Sequence, residues 1–173
     1  MPETLPSLTL VLGGQRSGKS VYAEGLICLD RVALYVATAQ TLDKEMKERV
    51  GAHKARRGKN WTTVEEPLDL ASALLINDKA GRPVLIDSLA MWISNLLDSN
   101  KDVEKQILAL VQAIEKIKSP LVIVSDEVGL GIIPDNALAR RFIDKLGTLN
   151  QLISARADTV VFITAGLPMY LKG

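Results

Sequence analysis

The sequence predicts an α/β fold: one domain over residues 1–173, built on a mostly parallel sheet flanked by helices. Three observations carry that prediction. Short runs rich in aliphatic and β-branched residues alternate with helical patterns along the chain. One run, Leu121–Ser125, is almost wholly apolar, as strands are when both sheet faces are covered. A glycine-rich loop, Gly13–Ser20, joins the first apolar run to the first helical pattern. Strands and helices in alternation close a parallel sheet through right-handed crossovers. A length of 173 residues suits one domain with its own core.

Taken in order, Leu8–Leu12 is an apolar strand and Lys19–Leu29 the helix behind the loop. Val32–Thr38, with its branched and aromatic residues, is the second strand. Leu42–Arg57 reads as a helix, because Leu42, Met46 and Val50 recur every four residues with charges opposite them. Asp43–Lys47 and Glu45–Arg49 add i,i+4 pairs of the favourable orientation. Trp61–Val64 fits a short strand, Leu68–Ile76 a helix and Asp78–Pro83 a turn. Val84–Asp87 is a strand ending in an acid, followed by helices over Leu89–Leu97 and Val103–Ile117. After the strand Leu121–Ser125, a long helix covers Asp135–Ala157, with Asp135 as its cap behind Pro134. Thr159–Thr164 is the last strand, and Leu167–Gly173 carry no pattern that decides between an ordered and a frayed end. The chain shows no repeat, linker or low-complexity tract.

Composition narrows the function classes. Apolar residues make up 47% and charged residues 24%, which suits a globular protein. A formal net charge of +1, with few aromatic residues, argues against a nucleic-acid partner. A single cysteine, Cys28, closes no internal disulfide and points to a reducing compartment. Met1–Ser7 hold two prolines and an acid rather than the basic start and apolar core of a signal peptide. No apolar run approaches the ~18 residues that span a membrane. The expected location is cytoplasmic.

Gly13-Gly14-Gln15-Arg16-Ser17-Gly18-Lys19-Ser20 fits G-x-x-x-x-G-K-S without a gap. Glycines let successive backbone N–H groups turn inward toward phosphate oxygens. The helix behind offers its positive end. Lys19 reaches the β and γ oxygens of a nucleoside triphosphate, and the Ser20 hydroxyl ligates Mg²⁺. A strand before the loop and a helix after it supply the context that the motif needs. A second Mg²⁺ ligand is expected from an acid at the end of a neighbouring strand. Asp87 ends one such strand and Asp126–Glu127 end another. Each acid alone could equally be a helix cap or a solvated charge.

His53 is the only histidine, on the same helical face as Met46 and Val50. That position suits a packed, hydrogen-bonded imidazole. The residues after it suggest chemistry, because Lys54, Arg56, Arg57 and Lys59 crowd the helix end before Gly58 stops it. Such a cluster either compensates the helix dipole or binds an anion beside a nucleophile.

The chain resembles the bifunctional adenosylcobinamide kinase/adenosylcobinamide-phosphate guanylyltransferases of cobalamin synthesis over nearly its whole length. The resemblance is carried by Leu12–Ser20 with Ala23-Glu24, by Tyr35–Gln40, by Asp43–Met46 with Arg49, and by His53-Lys54 with Trp61–Thr63. Asp126–Pro134 continue it, with Asn136, Leu138–Arg140 and Asn150-Gln151. The phosphate loop is common to many families. The stretch Glu127-Val128-Gly129-x-Gly131-Ile132-x-Pro134, joined to a single histidine, is more specific.

The resemblance implies a RecA-type P-loop sheet assembled as a homotrimer, and two reactions. ATP or GTP first phosphorylates the hydroxyl of adenosylcobinamide. GTP then donates GMP to adenosylcobinamide phosphate, releasing pyrophosphate and giving adenosylcobinamide-GDP. A histidine carries GMP covalently between them, and the matching residue is His53. Gly13–Ser20 are implied to hold phosphates. Thr38, Ala39 and Gln40, and Lys54, Ala55, Arg56 and Arg57, match nucleotide-contacting stretches. Glu65 and Asp87 match acidic positions at the nucleotide site, with Asp87 joining Ser20 at Mg²⁺. Three positions depart from the pattern: Asp87 replaces Glu, Asp126 replaces Asn, and Ala52 stands where some members carry a second histidine. The first two bear on nucleotide preference and rate. Two other readings share the phosphate loop: a simple small-molecule kinase with a structural His53, and a nucleotide-binding module without turnover. The first predicts no covalent nucleotide, and the second tight binding with negligible transfer.

Overall fold

Among the described residues, seven strands form one sheet in the order β3-β2-β4-β5-β1-β6-β7. The structure is a computed structural model that describes residues 5–27, 32–40, 60–99 and 101–173. The strands are β1 (Leu8–Gly13), β2 (Ala33–Ala37), β3 (Trp61–Glu65), β4 (Val84–Asp87), β5 (Leu121–Val124), β6 (Thr159–Thr164) and β7 (Leu167–Lys172). The helices are α1 (Lys19–Leu26), α2 (Leu70–Asn77), α3 (Leu89–Asp98), α4 (Val103–Ile114) and α5 (Ala137–Arg156). All neighbouring strands run parallel except β6 and β7. The expected mostly parallel sheet flanked by helices is therefore present.

Side-chain alternation explains the layering. Leu8, Leu10 and Leu12 of β1, Leu34 and Val36 of β2, and Leu121 and Ile123 of β5 point to one face. There they pack on Leu70 and Leu74 of α2, Trp92 and Leu96 of α3, Leu110 of α4 and Leu149 of α5. The alternate residues Val11, Tyr35, Leu85, Val122 and Val161 point to the other face, where α1 packs through Ala23 and Ile27 follows its end. The indole of Trp92, fully buried, donates from Nε1 to the Leu68 carbonyl at 2.9 Å, so its one polar group is satisfied.

Helix starts follow side-chain chemistry. Asp69, Ser88 and Asp102 accept from the backbone N–H groups of Ser72, Met91 and Lys105 and cap α2, α3 and α4. The cap of α5 is Asn136, whose Oδ1 accepts from Leu138 N and Ala139 N, and the helix begins at Ala137. This corrects the expected start at Asp135. Helix α1 ends at Leu26, because Ile27 is extended, which shortens the expected Lys19–Leu29. Helix α4 ends at Ile114 rather than Ile117. The predicted helix Leu42–Arg57 lies outside the described residues.

The tail forms β7, the antiparallel edge strand, after a turn through Ala165 and Gly166, both at positive φ. The Tyr22 and Tyr170 hydroxyls share a 3.0 Å hydrogen bond that ties β7 to α1. Burial and then this bond push the Tyr22 phenol up to about 12.

Candidate active site

Because six strands run parallel, their carboxyl ends share one edge of the sheet, where α/β folds bind ligands. The loop Gly13–Ser20 leaves β1 at that edge and enters α1. Its glycines have specific reasons. A Cβ on Gly13, whose φ is +154°, would lie 2.3 Å from the Ile163 carbonyl oxygen of β6. Gly18 starts α1 at φ +102°, a left-handed conformation. Of the five helices above, α1 is the one without a side-chain cap bond, which leaves its first N–H groups for an incoming anion.

Lys19 is buried at the centre of the loop. Its ammonium donates to the Gly14 carbonyl at 2.5 Å and pairs with Asp126 Oδ1 at 2.7 Å. Ser20 is half-buried, and Gln15 and Arg16 are exposed. The buried Ser17 hydroxyl has no hydrogen-bond partner among the described residues. Buried polar groups are as a rule hydrogen-bonded, so this hydroxyl is open to an incoming acceptor or donor.

Asp126 is held from behind. Glu127 N donates to the Gly13 carbonyl at 3.0 Å, which ties β5's end to the loop. Asn150 of α5 accepts from the Ser125 hydroxyl at 2.6 Å and donates to the Asp126 carbonyl at 3.1 Å. Asn150 is a buried polar residue in the apolar stripe Leu146, Leu149 and Ile153, and that interruption is its signal in the sequence.

The next strand contributes Asp87. Tyr35 of β2 donates its hydroxyl to Asp87 Oδ2 at 2.8 Å, and the Tyr35 ring meets Trp61 edge-on at 5.8 Å. Thr38 ties the strand ends together. Its hydroxyl donates to the Ser88 carbonyl at 2.7 Å and accepts from Ser88 N at 2.8 Å. Its own N–H donates to Asp87 O, and its carbonyl accepts from Asn95 Nδ2. Every polar group of Thr38 is thereby engaged within the fold. Ala39 and Gln40 follow it, half-buried. Asn95, which also donates to Pro67 O, is a second positioning residue that patterns alone do not single out.

Strand order decides which predicted residues meet. Asp126 follows β5, beside β1, and it reaches Lys19. Asp87 ends β4, one strand further on. Glu65 ends β3, four strands from β1, which is roughly 19 Å at ~4.8 Å per strand. Glu65 therefore lies far along the edge from the phosphate loop. His53, Lys54, Ala55, Arg56 and Arg57 lie outside the described residues.

Residues 9–171 match the family described as cobinamide kinase / cobinamide phosphate guanyltransferase. The chain belongs to this family. The bifunctional adenosylcobalamin biosynthesis protein CobP of Pseudomonas aeruginosa is 44% identical over 167 residues, covering 95% of this chain and 96% of the relative. The CobU proteins of Escherichia coli and Salmonella typhimurium are 34% and 36% identical, each covering 95% of this chain and 99% of the relative. Two solved structures share the fold of this cobinamide kinase / cobinamide phosphate guanyltransferase family member. A type III secretion ATPase of pathogenic bacteria superposes with a TM-score of 0.54 at 11% identity, over 96% of this chain and 57% of that chain. A Pyrococcus horikoshii OT3 protein gives 0.52 at 9%, over 98% of this chain and 87% of that chain. At these identities they speak for the fold alone. Among the described residues, no helix is long and apolar enough to cross a membrane.

Proposed function

We propose that this chain is a bifunctional cytoplasmic enzyme of adenosylcobalamin assembly. It phosphorylates adenosylcobinamide with ATP or GTP, then transfers GMP from GTP to the resulting phosphate through a GMP–His53 intermediate. The observation that carries this reading is family membership over residues 9–171, together with a buried Lys19 in an intact phosphate loop.

The kinase half needs positioning and charge neutralisation rather than a covalent residue. Gly13–Ser20 would orient the triphosphate through backbone N–H groups, with the uncapped start of α1 behind them. Lys19 would exchange its bonds to Gly14 O and Asp126 for β and γ oxygens. Mg²⁺ suits this donor set of hard oxygens: Ser20 and Asp87 would hold it, with Asp126 nearest the lysine, and it neutralises charge on the phosphates. The Tyr35 hydroxyl keeps one Asp87 oxygen in place.

The guanylyl half needs a nucleophile. Neutral imidazole, with an ordinary pKa of about 6.5, attacks the α-phosphorus as the bond to pyrophosphate breaks. The acceptor phosphate then displaces the imidazole, taking GMP and restoring His53. Lys54, Arg56 and Arg57 would stabilise the developing charge. Ala39 and Gln40, and Glu65 further along the edge, are assigned to the nucleotide's other parts. A homotrimer is the proposed assembly.

The two halves separate by mutation. In a coupled assay with γ-labelled ATP and adenosylcobinamide, Lys19→Ala is expected to lose phosphoryl transfer by ~100-fold or more. His53→Ala is expected to keep phosphorylation and lose guanylyl transfer. Full guanylyl transfer by His53→Ala contradicts the proposal and favours the plain kinase.

A further inference from the structure

Helix α5 is fully buried only along its second half, while Phe142 of its first half packs partly buried against the core. It spans 20 residues, and its buried ones are Leu146, Leu149, Asn150 and Ile153. None of Ala137–Lys145 is buried. The bonds from Asn150 to Ser125 and Asp126 fix its level at the carboxyl end of β5. At the other end, Asp158 N bonds Leu8 O at the amino end of β1, so α5 runs antiparallel to the strands. Ala137 precedes Asn150 by thirteen residues, roughly 20 Å along the axis at 1.5 Å per residue. The first turns of α5 therefore overhang the edge that carries the phosphate loop.

The loop Val128–Pro134 leads from Asp126 and Glu127 into this overhang. Its Leu130, Ile132 and Ile133 are 82%, 97% and 76% exposed. A single exposed aliphatic residue needs no explanation, but three within four residues form a patch. The loop is pinned at both ends: Gly129 N donates to Glu127 Oε1 at 2.6 Å, and Arg140 Nη1 donates to the Pro134 and Asp135 carbonyls. A groove of about 220 Å³, lined by Leu97, Ala139 and Phe142 among others, lies between α3 and the first turns of α5.

We infer that Leu130, Ile132 and Ile133, with the overhanging turns of α5, are the platform on which the macrocycle of the corrinoid acceptor docks. This rests on the bifunctional reading above. The acceptor hydroxyl has to meet the γ-phosphate beside Lys19, so the body of the acceptor has to rest on surface next to Asp126. The apolar loop begins two residues beyond Asp126. A corrin ring is broad, its faces carry ring methyl groups among polar amide arms, and its hydroxyl sits on a flexible arm. An exposed aliphatic patch matches those faces, and the arm spans the interval to the phosphate.

The test compares wild type with Leu130→Asp and with Ile132→Asp/Ile133→Asp, changes at exposed positions that leave the core intact. Three quantities are measured: KM for adenosylcobinamide and for ATP, equilibrium dialysis of adenosylcobinamide with a non-hydrolysable ATP analogue, and sedimentation velocity. The expected result is a rise of ~10-fold or more in corrinoid KM and Kd, with ATP KM within about twofold and sedimentation unchanged. An unchanged corrinoid Kd overturns the platform, as does a change of oligomeric state with equal losses toward ATP, which marks a subunit interface. Wild type that binds no corrinoid overturns it too. Wild type that binds corrinoid, loses it in the variants and transfers no phosphate supports the platform while refuting the enzymatic reading.

Discussion

Replacing Asn150 tests how α5 holds the active-site edge. In Asn150→Ala, the buried Ser125 hydroxyl loses the acceptor at 2.6 Å and the Asp126 carbonyl loses the donor at 3.1 Å. An unmet buried polar group costs ~1–3 kcal/mol, so the two together predict a loss of about 3 kcal/mol. For a chain of this size, each kcal/mol moves Tm by roughly 2–4 °C, giving a fall of roughly 6–12 °C. Ser125→Ala alone leaves only the Asn150 oxygen unmet and is expected to cost about 1 kcal/mol. Ser125→Ala/Asn150→Ala removes both partners of the 2.6 Å bond and leaves only the Asp126 carbonyl unmet, so its cost should fall below the sum of the singles by about 1–2 kcal/mol. Urea unfolding of the four proteins provides the cycle. Asn150→Ala costing under ~0.5 kcal/mol, or strict additivity in the cycle, refutes this account of the tether.

The remaining predictions concern the loop and the far end of the sheet. Gly13→Ala places a methyl group 2.3 Å from the Ile163 carbonyl at a strained φ, so β1 and β6 must part. A loss of more than ~2 kcal/mol in urea unfolding, and of nucleotide binding by calorimetry, is expected. Asp78 accepts from Ser119 Oγ, Ser119 N and Lys118 N, and these bonds, that of Ser119 Oγ first, hold its carboxyl below the ordinary range. A lowered acid contributes stability above its unfolded pKa near 3.9 and loses it as pH falls through the folded value. Asp78→Asn should therefore lower the urea midpoint at pH 6, and the gap from wild type should shrink toward pH 3. A gap that persists at low pH would mean that the carboxylate charge plays no part.

The sheet was readable because its strands are apolar runs with period-2 alternation. The phosphate loop was readable because its spacing, strand before and helix after are all local. What local patterns do not encode is strand order. Asp87 and Asp126 look alike in the sequence, each following an apolar strand. It is the neighbouring of β5 and β1 that brings Asp126 to Lys19. The bonding partners of Thr38, Asn95 and Asn150 are likewise silent in sequence, since they lie more than twenty residues away. Two errors have local causes. Asp135 and Asn136 are both good caps, and only the bonds to Leu138 N and Ala139 N decide for Asn136. Leu167–Lys172 carry a proline and no alternation, because β7 is an exposed edge paired on one side. Of the exposed Leu130, Ile132 and Ile133, Ile132 belongs to the motif over Glu127–Pro134, and only the overhang of α5 gives the three a common place.

The most direct test of the central claim is covalent labelling. Wild type and His53→Ala are incubated with Mg²⁺ and GTP labelled at the α-phosphate, then denatured and resolved on a gel. The account predicts label on wild type that is acid-labile, alkali-stable and chased by adenosylcobinamide phosphate, and none on His53→Ala. Equal labelling of both proteins, or no label on wild type that binds GTP, would contradict it.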